Sequence, residues 1–177
     1  AEKIKKSELA VYAKADCVKT VTLQDRTELK KYLKDKAVFV IPGVHDAVNL
    51  NIPFEDRRDL LFVGNFNHNP NEDAVKYFIE NIFLIIKKQL PEIKFYIVGN
   101  NPSAKIKSYA SEDIIVTGWV PEIKPFLAKC RLSIVPLRYG AGYKGKVCET
   151  LSHGLPMVAT SISVEGMGIK HAEHAMI

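Results

Sequence analysis

Residues 60–99 read LLFVGNFNHNPNEDAVKYFIENIFLIIKKQLPEIKFYIVG and contain two kinds of apolar pattern. LLFVG and KFYIVG, at the two ends, are short apolar runs that stop at glycine, which is typical of buried strands. The segment between them has apolar side chains at a helical period, at Val75, Phe78, Ile79, Ile82, Ile85 and Ile86. Asn69 is interpreted as the helix N-cap, with Pro70 and Glu72 in the first turn. The stretch therefore predicts strand, helix and strand, the building unit of a parallel sheet.

The same alternation continues toward the end of the chain. Further strands are predicted at 114–118, 132–136 and 156–160, and further helices at 102–110, 121–129 and 146–153. The strands are unbroken apolar runs, which indicates a parallel sheet covered by helices on both faces. In such a sheet, ligands bind beyond the carboxyl ends of the strands, where glycine lets a ligand approach the backbone. We therefore predict an α/β, Rossmann-like domain over residues 58–177.

Residues 1–57 form a separate part of the predicted organisation. Helices are expected at 2–15 and 25–34 and strands at 18–21 and 38–41, followed by a linker rich in proline, asparagine and charge. Two strands are too few for a sheet of their own, and the final residues, HAEHAMI, begin a further strand without a closing helix. The sequence is therefore expected to be cut from a longer protein, with the domain of residues 58–177 truncated at its C-terminus.

The composition is that of a soluble globular protein and argues against several classes. The chain has 177 residues, 47% of them apolar. No window reaches the roughly 18 unbroken apolar residues of a membrane span. Three cysteines and five histidines show no metal-ligand spacing, so we expect no metal site and reduced thiols in a cytoplasmic protein. A net charge of +5 favours anionic partners, but the lysines are scattered and indicate no nucleic-acid partner.

A glycine-rich loop with basic side chains carries the strongest functional signal. Residues 136–160 read PLRYGAGYKGKVCETLSHGLPMVAT, with a short helix predicted directly after the glycines. N–H groups free at a helix N-terminus attract anions, and Arg138, Lys144 and Lys146 add three positive charges beside them. Glu149 follows Lys146 by one helical turn, where a carboxylate can accept hydrogen bonds from sugar hydroxyls. The loop therefore predicts a site for a diphosphate with a sugar beside it.

Two other interpretations of this loop remain open at this point. Lys146 and Glu149 are also spaced as a surface ion pair, in which case the glycines merely permit a turn. The residues from Gly140 to Gly145 also match the dinucleotide-binding pattern G-x-G-x-x-G, with Glu165 twenty residues beyond. The loop follows the fourth strand of its unit rather than the first, however, and this placement does not favour a dinucleotide.

At these residues the sequence resembles the family 4 retaining glycosyltransferases. GKVCETLSHGLPMVATSISVEG is similar to their K-x-x-E-A-(M/L)-x-x-G-x-P-V-V-(A/S)-T segment, and VGNFNHNPNEDAVKYF is similar to the start of their donor-binding domain. FYIVGNNP, VTGWVPEIKPFLAKCRLSIVPLRYGAG and ADCVKTVTLQD also fit, so the resemblance covers essentially the whole chain. It implies the GT-B fold, in which two Rossmann-like domains face a cleft. Residues 1–57 would be the end of the acceptor-side domain and the linker, and 58–177 the donor-binding domain.

The resemblance also assigns roles to individual residues. Lys146 would contact the diphosphate, with Lys144 at the basic position just before it, and Glu149 would hold the ribose hydroxyls. Trp119 and Val120 would border the nucleobase, while two glycines would lie beside the phosphates or the donor sugar. Arg138, the third cation of the glycine-rich loop, is added to this set. The expected donor-binding residues are therefore Gly64, Trp119, Val120, Arg138, Gly142, Lys144, Lys146 and Glu149.

Two departures from the family pattern affect this site. Ala141 stands where the wider family has the first glutamate of its E-x7-E motif, so recognition of the donor sugar by that carboxylate is absent or replaced. The loop after the first strand lacks the usual Arg and Lys and instead has Asn65, His68, Asn69 and Pro70. Neutralisation of the phosphates is therefore expected to depend more heavily on the cations of the glycine-rich loop.

The function implied by the resemblance is hexosyl transfer from a UDP- or GDP-linked sugar to a glycan or lipid-linked acceptor. It implies retention at the anomeric carbon, no metal and no cofactor, in a cytoplasmic enzyme, with peripheral association at the inner face of the membrane as one option. The family's catalytic groups precede residue 1, so no catalytic residue is assigned and the chain alone is expected to be inactive. The alternatives are a non-catalytic nucleotide-binding module and a dinucleotide-binding oxidoreductase domain.

Overall fold

The computed structural model describes residues 2–50 and 52–177 of the chain. The chain divides into two compact units, Ala1–Val44 and His45–Ile177. The first unit contains a two-stranded sheet, and the second contains a five-stranded sheet with its own hydrophobic core. The second unit therefore includes the whole of the domain that the alternating pattern predicts.

Residues 45–50 and 52–57, assigned to a linker from the sequence, belong to the second unit and form hydrogen bonds to the rest of it. Val48 N donates a hydrogen bond to Ser152 O at 2.7 Å. Arg57 is only 8% exposed, and its guanidinium donates to the Gly154 carbonyl at 3.1 Å. Because a buried guanidinium is stable only with its donors satisfied, this contact holds Arg57 against Gly154.

The first unit has the predicted order of helix, strand, helix and strand. Its strands, β1 (Cys17–Thr20) and β2 (Ala37–Val40), pair in parallel and bury Val18 and Val38. The second helix is capped by Thr22, whose Oγ1 accepts a hydrogen bond from Asp25 N at 3.0 Å. The elements are α1 (Glu2–Lys14), β1 (Cys17–Thr20), α2 (Leu23–Tyr32) and β2 (Ala37–Val40).

The second unit is built on a five-stranded parallel sheet. Its strands are β3 (Arg58–Val63), β4 (Phe95–Val98), β5 (Ile114–Gly118), β6 (Cys130–Val135) and β7 (Met157–Ala159). Their order across the sheet is β5-β4-β3-β6-β7, and every neighbouring pair is parallel. The chain first adds strands on one side of β3 and then on the other, so the direction of winding reverses between β3 and β6. The predicted Rossmann-like sheet is confirmed.

Helices cover both faces of this sheet, as predicted. Neighbouring residues of β3 point to opposite faces. Phe62 packs with Val75 in one core cluster, whereas Leu61 packs with Leu127 in another. The helices are α3 (Asn69–Phe78), a π-helical segment (Ile79–Phe83), α4 (Leu84–Gln89), α5 (Ala104–Lys107), α6 (Lys124–Lys129) and α7 (Gly145–Ser152), with 3-10 turns at Phe54–Asp56 and Ser161–Val164. Among the helices of residues 2–50 and 52–177, none is long and apolar enough to cross a lipid bilayer.

The long helix after β3 differs from its prediction in two details. His68 occupies the N-cap and Asn69 is the first helical residue, so the predicted cap is wrong by one position. Ile85, predicted in the apolar stripe, is 60% exposed, while Phe83 is buried in the core. The reason is the π-helical segment, whose wider turn takes up more residues than an α-turn and so displaces the apolar face that follows it.

The final residues, where HAEHAMI predicts the start of a strand, form only an isolated bridge beside β7. Met176 forms a parallel bridge with Val158. Ala159 N donates to Met176 O at 2.8 Å, and Met176 N donates to Met157 O at 3.0 Å. These hydrogen bonds continue the parallel ladder by one short step.

Candidate functional site

A cleft opens where the winding of the sheet reverses, at the carboxyl ends of β3, β4 and β6. Crossovers on the two sides of a reversal point diverge, and the crevice between them is the usual ligand site of such sheets. We name it the switch-point cleft, and its volume is about 640 Å³. Its lining residues come from the loops after these three strands and from the start of α7. They are Val63, Gly64, Asn65, His68, Pro70, Asn71, Gly99, Asn100, Leu137, Gly140, Ala141, Tyr143, Lys144, Gly145, Lys146 and Glu149.

Glycines at the ends of β3 and β4 form the floor of this cleft. Gly64, a predicted donor contact, lies here, and its N–H donates to Val98 O at 2.9 Å. Gly99 has a φ of +148°, and a Cβ built on it would lie 1.7 Å from the Gly64 carbonyl oxygen. The backbones of Gly64 and Gly99 therefore approach more closely than a side chain at position 99 would allow, so this floor requires glycine there.

Lys146 lies in the first turn of α7 and brings its ammonium into the cleft. Nζ donates a hydrogen bond to Asn71 Oδ1 and lies 4.7 Å from the centroid of the Phe62 ring. Burial, and after it the positive charge of Lys144, lowers the pKa of Lys146 to about 8. An anion bound beside this group would favour its charged form and so oppose the effect of burial.

Lys144 lies at the N-cap of α7 and is only 8% exposed. Its Nζ is buried and has no hydrogen-bond partner among the residues that the structure describes. A buried ammonium without a partner costs several kcal/mol, so such a group indicates a site that an anionic ligand completes. The N-terminus of a helix also favours an anion, and α7 begins at Gly145 in the lining of this cleft. Two lysines and a helix N-terminus thus meet in the cleft, as the glycine-rich loop predicts.

Glu149 connects the switch-point cleft to a second cavity. It lines the cleft and also a cavity of about 430 Å³, which we name the side cavity. The other residues of the side cavity are Pro121, Glu122, Ile123, Lys124 and His153. The ion pairs found within residues 2–50 and 52–177 do not join Lys146 to Glu149, so the surface-ion-pair interpretation is not supported.

Arg138, the third predicted cation, has a different partner. Its Nε donates to the Asp73 carboxylate at 2.9 Å, and its guanidinium lies 4.9 Å from the centroid of the Tyr77 ring. The same pairing lowers the pKa of the Asp73 carboxyl group. Arg138 is not among the lining residues of the cleft, so in this conformation it adds no donor to it.

Three other predicted donor residues lie beside the two cavities rather than in their linings. Trp119 is 68% exposed, and Val120 packs at the edge of the second core cluster. Both directly precede the loop that lines the side cavity. Gly142 has a φ of +80°, with open space where a Cβ would be, between the lining residues Ala141 and Tyr143.

Several lining residues were not predicted, and Asn71 is the most informative of them. It is 7% exposed and lies in the first turn of α3. No functional role is predicted for it from the sequence, because its partner Lys146 is distant in sequence. Tyr143 was also missed: burial raises the pKa of its phenol to about 12, and its hydroxyl donates to Cys148 Sγ at 2.7 Å. The glycine-rich loop thus has a neutral phenol as well as two amines.

Two further points from the sequence concern a metal site and the dinucleotide alternative. Within residues 2–50 and 52–177, no group of three or more His, Cys, Asp or Glu side chains is placed to hold a metal ion. The G-x-G-x-x-G match from Gly140 to Gly145 lies between β6 and α7, whereas the dinucleotide fingerprint belongs to the first strand and helix of its unit. The first crossover here, after β3, has a single glycine, Gly64, followed by Asn65.

Comparison with known proteins places most of the chain in one family. The family profile described as "Glycosyl transferases group 1" matches residues 57–176. An uncharacterized 44.6 kDa protein in the cps region of Klebsiella pneumoniae is 27% identical over 128 residues, which are 67% of this chain and 33% of that protein. The chain therefore spans about a third of the length of this curated relative.

Solved structures share the fold at low sequence identity. TarM from S. aureus matches 98% of this chain and 35% of its own, with 16% identity and a TM-score of 0.76. The pneumococcal O-GlcNAc transferase GtfA, in complex with UDP and GlcNAc, matches 88% of this chain and 32% of its own, with 14% identity and a TM-score of 0.70. The sheet, its helices and the family match agree with the GT-B resemblance, and the chain belongs to the glycosyl transferases group 1 family.

Proposed function

We propose that this chain binds the sugar donor in a retaining glycosyltransferase and that the donor is a nucleoside diphosphate sugar. The observation that carries the proposal is the meeting of Lys144 and Lys146 at the start of α7, with the Lys144 ammonium buried and unpaired among the described residues. A diphosphate would supply the missing negative charge to both amines and to the helix N–H groups.

The same charges suit the chemistry of glycosyl transfer. When the bond from the sugar to the diphosphate breaks, negative charge develops on the departing phosphate oxygen. Fixed cations and backbone N–H groups beside that oxygen stabilise the transition state more than the ground state. In this proposal Lys144, Lys146 and the start of α7 therefore bind the donor and also stabilise the leaving group.

The two cavities suggest how the rest of the donor lies. We place the nucleobase at the side cavity, next to Trp119 and Val120, and the ribose at Glu149, which lines both cavities. A carboxylate there can accept hydrogen bonds from both ribose hydroxyls. Gly64, Gly142 and Ala141 leave room for the donor sugar at the other end, where a larger side chain would block it.

We further propose that the sugar is a hexose, carried by UDP or GDP, and that the acceptor is a glycan or a lipid-linked molecule. Binding of UDP and GlcNAc is a property of the structurally similar GtfA and favours UDP. The whole protein would be a cytoplasmic enzyme without a metal or cofactor, acting in the cytoplasm or at the inner face of the membrane. The chain alone would bind its donor without transferring it, because catalytic and acceptor-binding groups are expected outside these residues.

Calorimetric titration of the chain with UDP, GDP and NAD tests the proposal. We expect a nucleoside diphosphate to bind and NAD not to bind. Lys146→Met should weaken that binding by roughly 10- to 100-fold, since a hydrogen bond to a charged group contributes about 1.5–3 kcal/mol. If Glu149 holds the ribose, the chain should prefer UDP to 2′-deoxy-UDP by about tenfold, and Glu149→Ala should abolish this preference.

Glu165→Ala is the matched control, because Glu165 is the acid that a dinucleotide site would use. It should leave the binding of UDP and GDP unchanged. Tight NAD binding that Glu165→Ala weakens would instead support the oxidoreductase alternative and refute ours. Nucleotide binding together with the absence of sugar transfer by the longest natural form of the protein would support the non-catalytic module.

A further inference from the structure

Asn71 bridges the loop after β3 and the helix α7. It is 7% exposed, in the first turn of α3, and its side chain lies in the switch-point cleft. Nδ2 donates to the Asn65 carbonyl oxygen at 2.7 Å, and Oδ1 accepts from Lys146 Nζ. One amide therefore joins two cleft segments that are far apart in sequence.

The two partners fix the orientation of this amide. A backbone carbonyl can only accept a hydrogen bond, so the amide nitrogen must face Asn65. A lysine ammonium can only donate, so the amide oxygen must face Lys146. Rotating the amide by half a turn would oppose two acceptors at one end and two donors at the other. The position thus requires a side chain with one donor and one acceptor.

The lack of charge on Asn71 matters as much as its shape. Aspartate has nearly the same shape and would also hold the ammonium, but its carboxylate would neutralise the lysine. An alanine would leave the charge intact and remove the group that orients it. We propose that Asn71 is a positioning residue that orients the Lys146 ammonium into the cleft without neutralising it. This inference rests on the proposed diphosphate site.

The other groups around Lys146 leave this role to Asn71. Phe62 of β3 lies under the ammonium and supplies no hydrogen-bond acceptor. Lys144, at the N-cap of α7, repels it. Glu149 of α7 and His68 of the β3–α3 loop also line the cleft, and the hydrogen bonds of the described residues join neither of them to Lys146 Nζ. Asn71 is thus the acceptor that the described structure provides for this ammonium.

The test compares the unchanged chain with the Asn71→Asp and Asn71→Ala variants, and the affinity of each for UDP and GDP is measured from pH 7 to 8.5, below the range in which the nucleobases lose their own protons. With the pKa of Lys146 at about 8, lowered by burial, affinity should fall about fourfold between pH 7 and 8.5, as the ammonium loses its proton. Asn71→Asp should bind roughly tenfold more weakly at pH 7, and the midpoint of its pH profile should move upward. Asn71→Ala should also bind more weakly, with its midpoint moved downward, because the charged form has lost its acceptor.

Asn69→Asp is the matched control for the added charge. It lies on the same helical turn, outside the cleft lining, and a carboxylate at a helix N-terminus is favourable. Its pH profile should match that of the unchanged chain. Circular dichroism of each ligand-free variant shows whether it is folded. Lysine side-chain NMR, with Lys146→Arg to assign the signal, gives the titration midpoint of Lys146 without any nucleotide.

The outcomes separate the two proposals. If the unchanged chain binds neither UDP nor GDP at any pH, the diphosphate site is wrong and the role of Asn71 falls with it. If binding is normal but the folded Asn71 variants keep the wild-type midpoint, Asn71 is merely structural and only this inference is overturned. Opposite shifts of the midpoint in Asn71→Asp and Asn71→Ala support the positioning role.

Discussion

Replacing Gly99 with alanine tests how closely the backbones pack at the floor of the switch-point cleft. The new Cβ would lie 1.7 Å from the Gly64 carbonyl oxygen, half of the 3.4 Å at which ordinary contact begins. A side chain at a φ of +148° costs about 1–3 kcal/mol. Overpacking adds about 1–3 kcal/mol more. We therefore expect a loss of about 2–6 kcal/mol, a large share of the roughly 5–15 kcal/mol that stabilises a typical domain.

Urea unfolding followed by fluorescence and circular dichroism measures this loss. Trp119, the single tryptophan of the sequence, lies in the second unit but is 68% exposed, so circular dichroism is the main signal and its emission a supporting one. With a denaturant slope of about 2 kcal/mol per molar urea, a loss of about 4 kcal/mol lowers the midpoint by about 2 M. The slope itself should not change, because the same surface is exposed on unfolding.

Gly168→Ala separates the backbone strain from the overlap. Gly168 has a φ of +70°, with no other heavy atom within 4 Å of the position of a Cβ. Alanine at position 168 adopts a positive φ but contacts no neighbour. The urea midpoint of Gly168→Ala should therefore fall by about half as much as that of Gly99→Ala, or less. Equal midpoints for Gly99→Ala and Gly168→Ala would refute the close approach of β3 and β4 on which this reasoning depends.

Two further predictions concern the cations near the cleft. Lys144→Met removes a buried ammonium that is unpaired among the described residues, so unfolding should require about 1–2 kcal/mol more free energy while UDP or GDP affinity falls about tenfold. A loss of stability in urea would contradict this. Arg138→Met should change the same affinity by less than about fivefold, because Arg138 lies outside the cleft lining and its exposed ion pair with Asp73 contributes only roughly 0–1 kcal/mol. A loss in titration as large as that of Lys146→Met would place Arg138 at the donor.

The order of strands and helices could be predicted because each element is encoded locally. Apolar runs such as LLFVG and KFYIVG identify buried strands without knowledge of their neighbours, and β3 and β4 lie where these runs predict. The glycine-rich loop was equally readable, since its charges and glycines are adjacent in sequence. Lys144 and Lys146 consequently meet in the cleft as the sequence led us to expect.

The parts that escaped prediction depend on contacts between distant residues or on irregular geometry. Asn71 carried no functional signal in the sequence, because its contact with Lys146 joins two different crossovers of the sheet. Arg138 was grouped with the loop lysines by proximity in sequence, but Asp73 on α3 pairs with it instead. Ile85 was placed in the core because a constant 3.6-residue period was assumed. A single wide turn in the helix invalidates that assumption for every residue after it.

The π-helical segment between α3 and α4 gives the two ends of one long helix different rotational settings. A uniform helix has one rotational setting, so any substitution that turned its distal half against the sheet would also turn Asn71 relative to Lys146. The wide turn at Ile79–Phe83 separates these two requirements. Residues after the wide turn can be exchanged to fit the packing of the core, while the first turn of α3 keeps the orientation of Asn71. Homologous chains should therefore vary in apolar content after this turn more freely than they vary in the geometry before it.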